Sequence, residues 1–185
     1  MSRMRHDRPV MSPSATIGPI DIRPAQPDHI ELIGNLTVAA YHAGGHLTPG
    51  SPYESVLRDV RPRLDRTFIA DRAGDLVGAI SVFEHGHPMS ELATEGEWEI
   101  RFLAVSPDCW GSGVARALMA AAEGRAEAGG AGSMVLYVID RNDRARAFYP
   151  RLGYIRRPER DWSPLGADAA PVNLLAFTKA LPTRP

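Results

Sequence analysis

A single mixed α/β domain, with one sheet of about seven strands flanked by about four helices, is the fold class this sequence predicts. Three observations support that reading. Apolar or alternating runs suited to strands recur between segments with helical spacing, in the order β-α-α-β-β-β-α-β-α-β-β, which sends helices to both faces of a mixed sheet. The chain has 185 residues and is 44% hydrophobic, enough for one compact core. No internal repeat or long linker divides it, so residues 19–185 are assigned to one domain. Residues 1–18 (MSRMRHDRPVMSPSATIG) carry arginines, prolines and serines without the apolar h-region of a secretory signal, and are expected to form a disordered tail.

The elements follow in order. IDIRPA (20–25) alternates and reads as a first strand. PDHIELIGNLTVAAYHA (27–43) places Ile30, Ile33 and Leu36 or Thr37 at helical spacing, with Pro27 suited to a first turn. SPYESVLRDVRPRLD (51–65) is expected as a second helix, capped by Ser51. TFIAD (67–71) and LVGAISVF (76–83) form a hairpin across turn residues, and EWEIRFLAV (97–105) is a further strand, apolar on both faces towards its end. A helix is expected from 111 to 128, stopped by Gly129-Gly130, before the buried strand SMVLYVI (133–139). NDRARAFYPRLG (142–153) predicts a short helix capped by Asn142 and ended by Gly153, and YIRR and VNLLAFTKAL close the sheet.

Composition excludes several classes. A formal charge of −1 gives no bulk attraction to nucleic acid or membranes, and no apolar run is long enough for a bilayer span. One cysteine, Cys109, leaves no internal disulfide and no cysteine metal cluster, and points to a cytoplasmic setting. His85-Gly86-His87 lacks a third ligand at useful spacing, so no metal is expected. Cys109 has no histidine nearby in sequence to activate it as a nucleophile.

The chemistry is sought in SPDCWGSGVARAL (106–118). A strand, a Gly-x-Gly turn and a helix N-terminus make an anion site, because first-turn N–H groups lack helical partners and glycine leaves room for phosphate oxygens. A tight turn without any ligand would use the same glycines. A P-loop is excluded, since Val114-Ala115 stand where Lys-Ser/Thr is required. A dinucleotide fingerprint is the runner-up, although Arg116 occupies its third glycine position and the upstream hairpin spoils a βαβ start.

FLAVSPDCWGSGVARALM resembles the acetyl-CoA loop of the GNAT N-acetyltransferase superfamily, with Trp110 standing where that family has Arg or Gln. NDRARAFYPRLGY resembles its downstream signature N-x-x-A-x-x-F-Y-x-x-x-G-F/Y at Asn142, Ala145, Phe148, Tyr149, Gly153 and Tyr154. The two blocks stand in the family's order with one strand between them. The resemblance covers about residues 19–181 and is strongest over 97–155. It implies a mostly antiparallel sheet, splayed between the fourth and fifth strands, and acetyl transfer from acetyl-CoA to a primary amine by direct attack in a ternary complex. Homodimers are common in the superfamily, so a homodimer is one implied assembly.

The resemblance also implies roles for residues. Leu103, Ala104 and Val105 would present main-chain groups to the pantetheine arm, with an N–H near Val105 serving the thioester oxygen. Gly111, Ser112, Gly113, Val114, Ala115 and Arg116 would hold the pyrophosphate, and Asn142 would cap its helix, contact the arm, or both. Tyr149 would be the general acid to the departing thiolate. An alkyl amine with a pKa of about 10.4 is almost wholly protonated at neutral pH, so a proton acceptor is also required. Glu99 is the candidate base: it shares a strand face with Glu97, Arg101, Leu103 and Val105, and repulsion from Glu97 would raise a carboxylate pKa. The alternatives are that Arg101 simply pairs with one or both, or that water takes the proton. Tyr41, Tyr53, Glu97 and Trp162 are candidates for lining the acceptor side, where a small-molecule amine or a protein or peptide amine would bind. A CoA-binding module without catalysis and an NAD(P) oxidoreductase stand as the competing functions.

Overall fold

The computed structural model describes residues 18–164 and 172–182. The tail expected over residues 1–18 lies outside the described residues, Gly18 excepted. Seven strands form one sheet in the order β1-β2-β3-β4-β5-β7-β6. They are β1 (Asp21–Pro24), β2 (Thr67–Arg72), β3 (Asp75–Glu84), β4 (Glu97–Val105), β5 (Ser133–Ile139), β6 (Ile155–Arg156) and β7 (Leu174–Ala180). Every neighbouring pair is antiparallel except β4 and β5. The helices are α1 (Ile30–Ala43), α2 (Tyr53–Arg58), α3 (Val114–Ala128) and α4 (Asp143–Phe148).

Two of the expected helices break, and proline breaks both. The helix expected over 51–65 is α2 followed by a separate 3₁₀ segment, Arg61–Arg66, with Asp59 extended between them. An α-helix continued through Pro62 would drive its ring into the Arg58 carbonyl, and α2 ends at Arg58. Pro150 does the same beyond α4, where Tyr149–Leu152 form a 3₁₀ turn closed by Gly153 in the left-handed region at φ 88°. The helix expected from 111 starts at Val114, because Gly111 and Gly113 sit at φ 79° and 91°, outside helical space.

Alternation divides β3 cleanly. Ile80 and Val82 pack with α3 on one face. On the other face Ala79 packs beneath α1, and Phe83 lies with Val38, Leu47 and Leu57. On β4 the alternation changes phase. Phe102 has φ 55°, and the register against β3 slips between Ala79 and Ser81, the mark of a β-bulge. Trp98 and Ile100 lie on the α3 face before the bulge, and Leu103 and Val105 after it, while Phe102 turns to the α1–α2 face. The single face expected for Glu97, Glu99, Arg101, Leu103 and Val105 is therefore corrected: the first three are separated from the last two.

The parallel pairing of β4 with β5 runs only from Glu97↔Ser133 to Ile100↔Leu136. Beyond it β4 stays with β3 and β5 stays with β7, so the two strands part where the sequence reading expected a splay. Arg63 supports this corner from beneath. It is 1% exposed, donates to the carbonyls of Val56 (3.1 Å), Leu57 (2.6 Å) and Asp59 (3.0 Å), and lies 4.1 Å from the Phe102 ring centroid. Replacing Arg63 by leucine leaves those buried carbonyls without their donor, and is expected to lower unfolding stability by about 3 kcal/mol, measurable by urea denaturation.

Candidate active site

The parting of β4 from β5 makes a slot lined by backbone. Ser106 N donates to Val77 O on β3 at 2.9 Å, so the alternating backbone turns the polar groups of Leu103 and Val105 away from β3, towards the parting. Trp110 Nε1 donates to Val105 O at 2.9 Å, which fixes the indole against this wall. The loop Trp110–Gly113 then leads into α3. A Cβ at Gly111 or Gly113 would meet nothing within 4 Å, so an anion has open approach to the loop. The first-turn amides of Val114, Ala115 and Arg116 precede the intrahelical hydrogen-bond ladder of α3. Ser112 faces inward instead: its Oγ donates to Cys109 O at 2.7 Å and accepts from Arg72 Nη1 at 3.2 Å. Asn142 is the expected cap, its Oδ1 accepting from Ala145 N at 3.0 Å.

Tyr149 begins the 3₁₀ turn beyond α4. Its ring is wedged among Phe148, Tyr154 and Phe177, with centroids 5.3, 5.7 and 6.3 Å away. Burial pushes its phenol pKa up, so the phenol is protonated at neutral pH. Among the described residues its hydroxyl makes no hydrogen bond, whereas Tyr137 donates to Arg160 O and Tyr154 donates to Glu123. Tyr41, on α1, is also raised by burial, and further by the neighbouring Tyr53 and Tyr149, against the lowering field of Arg101 and Arg63. The parting thus brings together phenols that approach from opposite faces of the sheet: Tyr41 and Tyr53 pack with Phe102, Tyr149 with the α3 core.

The carboxylates are arranged differently from the sequence expectation. Glu99 is 2% exposed, and its Oε2 accepts from Ser90 Oγ (3.1 Å), Glu91 N (2.6 Å) and Leu92 N (2.7 Å). Arg101 Nε stands 3.8 Å from Oε1. Arg101 pairs more closely with Glu91, at 3.0 Å, and donates to Met89 O at 2.7 Å. Glu97 is held by both terminal nitrogens of Arg160, at 2.9 and 2.8 Å, and by Thr94. Burial raises its pKa, but the hydrogen bonds from Arg160 and Thr94 outweigh burial and lower it to about 2. The expectation that repulsion would lift a carboxylate of this pair is overturned for Glu97, which has acquired a guanidinium partner. Trp162 bridges to Leu174 and lies 6.0 Å from the Tyr137 ring, on the sheet margin beside β5 and β7. His85 and His87 are used locally: a ring nitrogen of His85 bonds Ala93 O, and His87 accepts from Met89 N while stacking on Phe83.

A slot between parted parallel strands, ending at a glycine loop on a helix N-terminus, is the arrangement the sequence resemblance implied. The sequence model of the acetyltransferase (GNAT) family matches residues 36–154. This chain belongs to that family. Solved structures agree on the fold. The ribosomal-protein-S18-alanine N-acetyltransferase of Escherichia coli superposes with a TM-score of 0.64 over 90% of this chain and 96% of its own, at 19% identity. The PaiA N-acetyltransferase of Thermoplasma acidophilum, in complex with coenzyme A, gives 0.68 over 88% and 99%, at 16% identity. N-acetylglutamate synthase of Neisseria gonorrhoeae, complexed with coenzyme A and N-acetyl-glutamate, gives 0.63 over 88% of this chain and 35% of its own, at 18% identity. No curated protein matches the chain. Among the described residues of this GNAT domain, no helix is long and apolar enough to cross a membrane.

Sequence reasoning allowed the Arg101–Glu99 pair but missed Arg63, the Glu91 and Met89 partners of Arg101, and the Arg160 and Thr94 partners of Glu97. Arginine carries no local signal for a distant carbonyl or carboxylate, so no pattern in the sequence indicated these contacts. Glu97 gives a pH test. Its folded pKa lies below the ordinary 4.5, so its ion pair stabilises the fold above pH 4.5, and that contribution is lost as pH falls towards 2. Glu97→Gln is expected to lower the thermal midpoint at neutral pH and to flatten its decline between pH 4.5 and 2, followed by circular dichroism.

Proposed function

We propose that this GNAT protein is an acetyl-CoA-dependent N-acetyltransferase that acts on a primary amine by direct attack within a ternary complex. The observation supporting this most strongly is the parting of β4 from β5 beyond Ile100, which leads to the open glycine loop and has beside it the Tyr149 phenol, without a hydrogen-bond partner among the described residues. The thioester of acetyl-CoA supplies the acyl group. Loop amides from Gly111 to Arg116 hold its pyrophosphate, while Leu103, Ala104 and Val105, with Asn142 opposite, align the pantetheine arm. The Val105 N–H faces the slot and stabilises the negative charge developing on the thioester oxygen as the amine nitrogen attacks the carbonyl carbon. Tyr149 gives its proton to sulfur as the carbon–sulfur bond breaks, and regains one from solvent. Glu99 takes the amine proton through Oε1, because Oε2 is committed to the loop at Ser90–Leu92.

Tyr41, Tyr53 and Trp162 line the acceptor side in this reading, with Glu97 held at its margin by Arg160. Two structural neighbours are named for a ribosomal-protein alanine and for N-acetylglutamate, so both peptide and amino-acid amines belong among the acceptors tested. The test is thiol release from acetyl-CoA with polyamines, amino acids, aminoglycosides and peptide N-termini. Transfer to at least one amine is expected. CoA binding without transfer to any would leave a binding module, and NAD(H) binding in place of CoA would leave the oxidoreductase. Tyr149→Phe is expected to lower kcat about a hundredfold with CoA affinity nearly unchanged; an unchanged rate would remove the general acid. Glu99→Gln is expected to lower the rate most at mildly acidic pH, and an unaltered pH–rate profile would pass the proton to water.

A further inference from the structure

We propose that Arg144 binds the diphosphate of coenzyme A, brought to the glycine loop from the far wall of the slot on the indole of Trp110. This rests on the proposed function and adds a residue that the glycine-loop pattern does not contain. Backbone amides supply only partial positive charge, whereas a diphosphate brings two full negative charges into the mouth of the slot. Three arginines stand near enough in the fold to supply the balance: Arg72 bonded to the loop, Arg116 in the first turn of α3, and Arg144 in α4. Arg72 is committed to Ser112, reaching its Oγ at 3.2 Å and its carbonyl at 3.4 Å. Arg116 lies exposed on α3, and its side chain makes no hydrogen bond or ion pair among the described residues.

Arg144 is positioned. Its guanidinium lies 3.9 Å from the Trp110 ring centroid, and the indole is itself fixed by the bond from Nε1 to Val105 O at 2.9 Å. A stacked guanidinium keeps its N–H edge free, the edge that matches two phosphate oxygens at once. Its neighbours do not consume it: Asp143 pairs with Arg146 at 3.1 Å and Asp140 accepts from Asn173 at 2.9 Å. Among the described residues Arg144 pairs with no carboxylate, and it is exposed, so packing of the core does not require it. A cation in the first turn of α4 also opposes the helix dipole, a cost that a bound anion offsets. Trp110 belongs to the segment following β4 and Arg144 to α4, so the stack joins the two walls of the slot directly beside the open glycines.

The test is direct binding to the full chain by calorimetry, comparing coenzyme A, dephospho-coenzyme A and pantetheine. Arg144→Gln is expected to weaken coenzyme A and dephospho-coenzyme A alike by about tenfold or more and to leave pantetheine unchanged, at an unaltered thermal midpoint. Arg144→Lys retains charge without the fork and is expected to fall between. In a Trp110→Leu background, Arg144→Gln is expected to cost much less, because the seat has gone. Unchanged coenzyme A affinity in Arg144→Gln overturns the assignment; so does an equal loss for pantetheine, or a loss confined to coenzyme A, which would assign Arg144 to the 3′-phosphate. A wild-type chain that binds no coenzyme A would remove the proposed function itself, an outcome separate from any of these.

Discussion

Beyond Ile100 one edge of β4 runs without a strand partner among the described residues, through the middle of the sheet, and the architecture is organised around keeping that edge open. Unpaired backbone groups inside a fold are costly, so strands left to themselves would close the gap. The bulge at Phe102 prevents closure by turning the strand, and Arg63 and Arg101 lie against the Phe102 ring, at 4.1 and 5.0 Å from its centroid. Arg63 in turn collects the carbonyls at the end of α2, so that the break in the helical segment 51–65 and the bulge in β4 are held by one buried side chain. The positive φ at Phe102 is strain that its packing maintains.

Charge around the parting is compensated locally. Glu99 secures the loop before β4 through one carboxylate oxygen, Arg101 reaches across to Glu91, and Arg160 fastens the segment before β7 to Glu97. These contacts tie irregular segments to the rigid ends of β4, so this side of the parting is built of loops whose positions the sheet determines. The pKa of Glu97 shows how specific the outcome is: burial alone would raise it, and the hydrogen bonds from Arg160 and Thr94 together reverse the sign.

The opposite wall depends on a proline. Pro150 ends α4 at Phe148, just before Tyr149, and the 3₁₀ turn with left-handed Gly153 carries the chain back to β6. Tyr149 is thereby clamped among three aromatic rings, with its hydroxyl unshared among the described residues. Trp110 and Arg144 connect this wall to the glycine loop, giving the slot a mouth whose charge is set by residues from both sides.

The sequence by itself determined what near neighbours decide. Glycines at 111, 113 and 153 sit in left-handed turns, Asn142 caps its helix, and the strands alternate as their side chains require. The two signature blocks, each short and local, carried the resemblance to the family whose sequence model matches residues 36–154. Tertiary structure alone decided the rest. Pro62 stands inside the helix expected over 51–65 and breaks it, and the segment after the break turns to deliver Arg63 beneath Phe102. The face of β4 that carries Leu103 and Val105 changed because one residue enters the left-handed region, a choice imposed by packing from α1, α2 and β3. The partners of Glu97 and Arg101 are fixed by contacts distant in the chain or carried by loops, and side-chain identity says nothing about which opposite charge will arrive. Local backbone preference is written residue by residue, whereas a gap between strands and the charges that face it exist only once the sheet has assembled.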